Sequence, residues 1–255
     1  MYFTIVMPTR DRLDLLYNTI CSIRDTAKNL NSFELIVIAD TDDVGTQDAI
    51  ASWWEQFNGM NIRFLIREQS RNISHDYYNW VFMNKSPVIP QGKVFWIIGN
   101  DVVFLTPNWD ELAKTSIENY LKKRPDRILY AFPKDISINK PYLAEFKWGW
   151  FPILTRETVK ALNYFMPKEY PSWGSDVFLG SIFSNPEINR SLELPIELDH
   201  ICYHAYKNIP QDHIGKRMSG HFNSYEQRQT RNAFRNCGIP LAIHNLKEAI
   251  HGMGK

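Results

Sequence analysis

Along the first hundred residues, apolar runs alternate with stretches whose apolar positions recur every three to four residues. Tyr2–Met7, Glu34–Asp40, Ile62–Glu68 and Lys93–Asn100 are rich in β-branched and aromatic side chains and read as strands. Between them, Leu15, Ile20 and Ile23 stand at helical spacing within Leu13–Ala27, and helices are expected around Gln47–Phe57 and Ile73–Asn84. Strands that are apolar on both faces and separated by helices form βαβ units around a parallel sheet covered on both sides. The ligand crevice of such a sheet lies at the carboxyl ends of its strands.

The second half is less regular. Asp110–Lys122 has a helical pattern, Ile128–Phe132 and Lys147–Thr155 read as strands, and Ser175–Ser184 reads as a short helix. Ile196–Tyr206 is expected to be a late strand, and two helices, near Tyr225–Arg235 and Leu241–His251, close the chain. No repeat, low-complexity tract or long linker divides the 255 residues, so they read as one α/β domain.

Charge and cysteine content narrow the class. The net charge is +1, but the stretch from Tyr206 to Lys255 carries eight Lys/Arg against three Asp/Glu, hence +5, leaving −4 for the rest. A mildly basic end suits phosphate-bearing ligands and is equally a solvated face. Cys21, Cys202 and Cys237 lie far apart and form no C-x-x-C, which speaks against a disulfide framework or zinc site and for a reducing compartment. No run reaches the ~18 apolar residues of a membrane span, and the strand-like start shows no signal peptide. The expected location is the cytoplasm.

The candidate chemistry sits where strands end. Strand one runs into Pro8-Thr9-Arg10-Asp11-Arg12, strand two into Asp40-Thr41-Asp42-Asp43, strand three into Arg67 and Arg71-Asn72, and strand four into Gly99-Asn100-Asp101. Each alone reads as a polar turn or helix cap; their recurrence at one edge of one sheet points to a site. Asp101 poses the sharpest question. It is flanked by apolar residues on both sides, and an isolated carboxylate in apolar surroundings is costly unless paired or coordinated. No glycine follows strand one in a G-x-G-x-x-G pattern, and no G-x-x-x-x-G-K-[ST] occurs, which excludes a Rossmann dinucleotide site and a P-loop. Nucleotide binding by carboxylates, with a metal for the phosphates, remains.

Here the chain resembles the inverting, family 2 nucleotide-sugar glycosyltransferases of the GT-A fold. PTRDR is similar to that family's Pro-Thr-x-Asn-Arg turn, with Asp11 where Asn is usual. I-A-D-T-D-D is similar to its strand ending in paired aspartates, keeping Asp40 and carrying Ala39 at the first. Arg71 to Asn79 loosely matches a helix of the N-x-G-x-x-x-A-x-N type. Gly99-Asn100-Asp101 stands at the D-x-D, with Gly99 in place of the first Asp. The likeness covers Phe3 to Asp110 and is patchier beyond, through W-G-S-D-V-F-L-G and Cys202-Tyr203-His204.

The resemblance implies a fold and a set of roles. The fold is a mostly parallel sheet with helices on both faces, with residues 1–105 as the nucleotide-sugar half and 106–255 as the acceptor half. Pro8, Thr9 and Asp40 would hold base and ribose. Arg12 and Arg71 would contact base, ribose or phosphate, and Asn100 would bond the ribose or assist the metal. Asp101 and His204 would hold Mn2+ or Mg2+ on the diphosphate of a donor, most naturally a UDP-sugar. Asp176, at a helix start, would be the general base, with Trp148, Trp150 and Trp173 as an acceptor platform. From the residues themselves, His200 is expected to point away from the site, and 209–223 to form either a lid over the diphosphate or a solvated loop. A glycan, a lipid-linked sugar or a modified nucleobase in DNA all stand as acceptors. Two rival readings stand beside transfer: a non-catalytic module derived from such an enzyme, and a nucleotidyltransferase.

Overall fold

The computed structural model describes residues 1–70, 72–137, 149–170, 175–201 and 225–252. Among these, β1 (Phe3–Thr9), β2 (Phe33–Asp40), β3 (Ile62–Arg67) and β4 (Val94–Ile97) are the first-half strands, with α1 (Leu13–Thr26) and α2 (Val44–Trp53) between them. A turn of π-helix, Ser74–Tyr78, leads into the short α3 (Asn79–Phe82) where one longer helix was expected. Then follow β5 (Val102–Phe104), α4 (Trp109–Leu121), β6 (Tyr130–Asp135), β7 (Ile153–Thr155), α5 (Arg156–Leu162), α6 (Ser175–Phe183), β8 (Ser191–His200) and α7 (Tyr225–Gly252).

These strands form one sheet in the order β3-β2-β1-β4-β7-β6-β8-β5. Its first four strands are parallel, β7 and β5 run antiparallel to their neighbours, and β6 pairs parallel with β8. Alternation along the strands sorts the core to two sides. Ile5, Met7, Leu35, Val37 and Trp96 pack with Leu16, Ile20 and Ile23 of α1 and Trp109, Ala113, Ile117 and Leu121 of α4. Val6, Ile36, Ile38, Phe95 and Ile97 pack with Phe178, Leu179 and Phe183 of α6 and Ala242 and Leu246 of α7. The fold is α/β, with helices on both faces of a mostly parallel sheet.

β5 begins five residues after β4 ends, yet bonds at the far edge of the sheet. The sheet therefore curls back on itself. Phe104 of β5 meets Trp96 of β4 with ring centroids 5.3 Å apart, and Thr19 and Ser22 of α1 accept hydrogen bonds from the β5 backbone. The curl brings the carboxyl end of β8 to the turn after β4.

Several element boundaries differ from expectation. β8 starts at Ser191, because Leu192, Leu194, Ile196 and Leu198 alternate with polar residues; the register shift against β6 accommodates Pro195. β7 is confined to Ile153–Thr155 within its expected range. The closing segment is one helix with Pro240 inside it rather than two. Proline removes one backbone donor there, and burial of Ala242 and Leu246 against the neighbouring helices continues across it.

Candidate active site

Because β1 lies between β2 and β4, the carboxyl ends of all three are adjacent. Asn100 Nδ2 donates to Thr9 Oγ1 at 2.8 Å, tying the turn after β4 to the end of β1, and both residues are buried. Pro8 precedes them, half-buried, opposite Ile38 of β2.

On the β2 side, Asp40 is buried and holds two partners. Its Oδ2 accepts from Arg10 Nη1 at 2.9 Å, and its Oδ1 accepts from the Tyr77 hydroxyl. Burial and that bond push the Tyr77 phenol well above its ordinary ionisation range. Arg10 also grips Asp42 through both terminal nitrogens, at 2.6 and 2.9 Å, the bidentate geometry that suits guanidinium to carboxylate. Below them, Asp43 accepts from the Asp11 and Thr46 backbone N–H groups at 3.1 and 3.2 Å. Burial pushes the Asp43 carboxyl up, but bonds from Thr46 and Asp11 and the nearby Arg10 charge outweigh it and hold the group below its usual 3.8. Asp11 sits at φ 50°, in the left-handed region that Asn and Asp tolerate. That explains physically why an Asp can stand where the similar family has Asn.

On the β4 side, the Asp101 carboxylate folds back over Gly99, where a Cβ would lie 2.4 Å from Oδ1. Arg12 Nη1 donates to Asp101 Oδ2 at 3.0 Å. His200 Nε2 lies 3.4 Å from Oδ1, and its Nδ1 is 4.0 Å from Asp135 Oδ2. The expectation that His200 points away is therefore corrected. Val102 pairs opposite His200, and the Ile201 N–H donates to the Asp101 carbonyl at 2.9 Å, so the β5–β8 ladder delivers the imidazole to this carboxylate. A signal was available: His200 and His204 are an even number of residues apart and share one face of any extended strand.

Asp176 lies in the first turn of α6, half-buried. Burial, and in lesser part the Asp176 charge, push the phenol of Tyr130 on β6 well above its ordinary ionisation range against the lowering effect of the Gly149 N–H, which donates to its hydroxyl at 2.9 Å. Asn79 is a support: its Oδ1 accepts from the Phe165 and Met166 N–H groups at 2.7 and 3.0 Å, and its Nδ2 donates to the Met166 carbonyl at 2.6 Å. Arg67 stacks on Tyr77 and Trp80, 5.0 Å from each ring centroid. Trp150 meets His200 edge-on at 5.2 Å. Arg71, His204, Trp148, Trp173 and the expected lid lie outside the described residues. Among those described, no group of three or more His, Cys, Asp or Glu is arranged to hold a metal ion, and no helix is long and apolar enough to cross a membrane.

Neither a protein-family model nor a curated protein matches the sequence. Solved structures do match the fold. A mannosyltransferase from Pyrobaculum calidifontis, PcManGT, in complex with GDP-Man and Mn2+, is 14% identical at a TM-score of 0.57, over 99% of this chain and 74% of its own. TarS of S. aureus, residues 1–349 with UDP-GlcNAc, is 11% identical at 0.57, over 98% of this chain and 82% of its own. GalNAc-T7 with UDP, GalNAc and Mn2+ is 12% identical at 0.56, over 78% of this chain and 44% of its own. The chain has the GT-A fold of these glycosyltransferases.

Proposed function

We propose that this protein is a nucleotide-sugar-dependent glycosyltransferase that moves a sugar, most readily from a UDP-sugar, to an acceptor hydroxyl. The observation that carries it is the placement of two buried carboxylates, Asp40 and Asp101, at the carboxyl ends of β2 and β4, the parallel strands that flank β1, each held by an arginine from the turn after β1. Asp40, Thr9 and Pro8 form the base and ribose side, with Asn100 between ribose and metal and Arg12 and Arg71 towards the phosphates. Residues 1–105 then hold the donor and 106–255 the acceptor, in a single cytoplasmic domain.

The residues present fit a divalent ion. Asp101 Oδ1 and His200 Nε2 are 3.4 Å apart, close to the ~3 Å between neighbouring ligands of an octahedral ion with bonds of ~2.1 Å. Asp101 and His200 would hold it, with His204 as the further histidine that the family likeness offers. Two protein ligands suffice where substrate phosphates and water complete the shell, and an imidazole favours Mn2+ over Mg2+. When bound, the ion neutralises charge on the departing diphosphate. Asp176 takes the proton from the acceptor hydroxyl, leaving the oxygen to attack the anomeric carbon with inversion. A glycan, a lipid-linked sugar or a modified base in DNA supplies that hydroxyl.

Thermal shift with UDP and GDP, each with and without Mn2+, tests the reading. Stabilisation by one nucleotide that grows with Mn2+ is expected; none with either removes it.

A further inference from the structure

His200 is enclosed by two carboxylates and two rings. Its Nε2 faces Asp101 Oδ1 and its Nδ1 faces Asp135 Oδ2, while Trp150 and Phe151 approach edge-on at 5.2 and 5.3 Å between ring centroids. The Asp135 side chain is 2% exposed. Its Oδ1 is satisfied by the Ser137 N–H and hydroxyl at 2.9 and 2.6 Å. Its Oδ2 and His200 Nδ1 are both buried, and neither makes a hydrogen bond among the described residues. They face each other at 4.0 Å, ~1 Å longer than a hydrogen bond.

A neutral imidazole has one N–H to share between the two carboxylates. If the proton is on Nε2, it serves Asp101 and the Nδ1 lone pair faces Asp135. If it is on Nδ1, it serves Asp135 and the Nε2 lone pair faces Asp101. Either form leaves a repulsive contact in a site where burial weakens screening. A cation between Nε2 and Asp101 removes the conflict, because the lone pair becomes a ligand and the N–H is left for Asp135.

We infer that Asp135 is a positioning residue: it fixes His200 in the Nδ1–H form and aims Nε2 at the cation shared with Asp101. The inference rests on the metal reading of Asp101 and His200 given above. Carboxylates that take the outer N–H of a metal-bound histidine act in this way, fixing tautomer and ring orientation and raising ligand basicity. The backbone suits the role, since β6 and β8 run parallel with Asp135 paired to Leu198, two residues before His200. Ser137 clamps the other carboxylate oxygen, so Asp135 is held with Oδ2 towards the ring.

The test is Mn2+ titration of the full chain, followed by loss of the free-ion electron paramagnetic resonance signal. Asp135→Ala should weaken Mn2+ binding 10–100-fold, the usual effect of losing such a partner. Asp135→Asn should weaken it less, because a carboxamide oxygen still accepts the N–H. Asp101→Asn is the control that removes a ligand. A second readout uses Mg2+ and 15N NMR, with the His200 signals assigned through His200→Gln. The native chain should shift to the Nδ1–H form on adding Mg2+, and Asp135→Ala should give a mixture. Circular dichroism checks folding; if Asp135→Ala does not fold, Asp135→Asn carries both measurements. A folded variant with native Mn2+ affinity and an unchanged tautomer overturns the role of Asp135 and leaves the metal reading standing. A native chain that binds Mn2+ no better than Asp101→Asn removes both.

Discussion

Arg12 Nη1 lies 3.0 Å from Asp101 Oδ2, joining the turn after β1 to the turn after β4 across 89 residues of sequence. The pair answers how a carboxylate survives between apolar segments: an arginine from the neighbouring strand end meets it. It also sets Arg12 in competition with a cation for the same group. Replacing Arg12 by Met should leave Mn2+ affinity at or above the native level, because a competing positive charge is gone. Donor affinity should fall by about 1.5–3 kcal/mol, the range for a hydrogen bond to a charged group. Calorimetry with Mn2+ and with a UDP-sugar measures both. Loss of Mn2+ binding would show instead that Arg12 holds Asp101 in its binding position.

Asp40→Asn tests the base side. The variant keeps the shape but weakens the contacts with Arg10 and Tyr77, and nucleotide affinity should drop by ~1–3 kcal/mol while the fold persists. Titration with UDP and GDP reads the change. Unchanged affinity for every nucleotide would remove Asp40 from the base site.

At Asp176, chemistry and stability separate. Asp176→Asn keeps size and hydrogen-bonding shape but removes the proton acceptor. Donor affinity should stay within about twofold while turnover falls ~10²–10⁴-fold. A carboxylate that merely favours the start of α6 would change stability by ~0.3–1 kcal/mol and leave turnover nearly normal. Single-turnover rate and melting temperature on one variant distinguish the two.

Asn79→Ala should destabilise without any direct effect on substrate contacts. It strips partners from two buried N–H groups and one carbonyl of Phe165 and Met166. A loss of at least ~2 kcal/mol in urea unfolding is expected, since each orphaned group costs roughly 1–3 kcal/mol. A change under ~0.5 kcal/mol would mean that the segment finds other partners.

The first half of the fold was legible because β1, β2 and β4 are largely apolar runs and β3 is rich in β-branched and aromatic residues despite Arg63 and Arg67, patterns that depend on local sequence alone. β5 was not: Val102–Phe104 reads as a resumption of β4, and only its pairing with β8 gives it a separate place. β8 escaped in part because its start alternates polar and apolar, and Pro195 discourages a strand assignment there. The site divides in the same way. Asp40, Asn100 and Asp101 announce themselves at strand ends. Arg10 reads as an ordinary turn residue until Asp40 and Asp42, some thirty positions on, fold beside it. His200, with Asp135 behind it, reaches Asp101 only through the curl of the sheet, which no local pattern encodes.

Release of nucleoside diphosphate from sugar donors is the most direct test of the central claim. The full chain is incubated with a panel of UDP- and GDP-sugars and Mn2+, and free UDP or GDP is quantified beside Asp101→Asn. Release from at least one donor is expected, abolished by chelator and in Asp101→Asn, if the carboxylate holds an ion that offsets charge on the leaving diphosphate by several kcal/mol. Absence of both binding and release with every donor would contradict a glycosyltransferase, and full release in chelator would contradict the place given to Asp101.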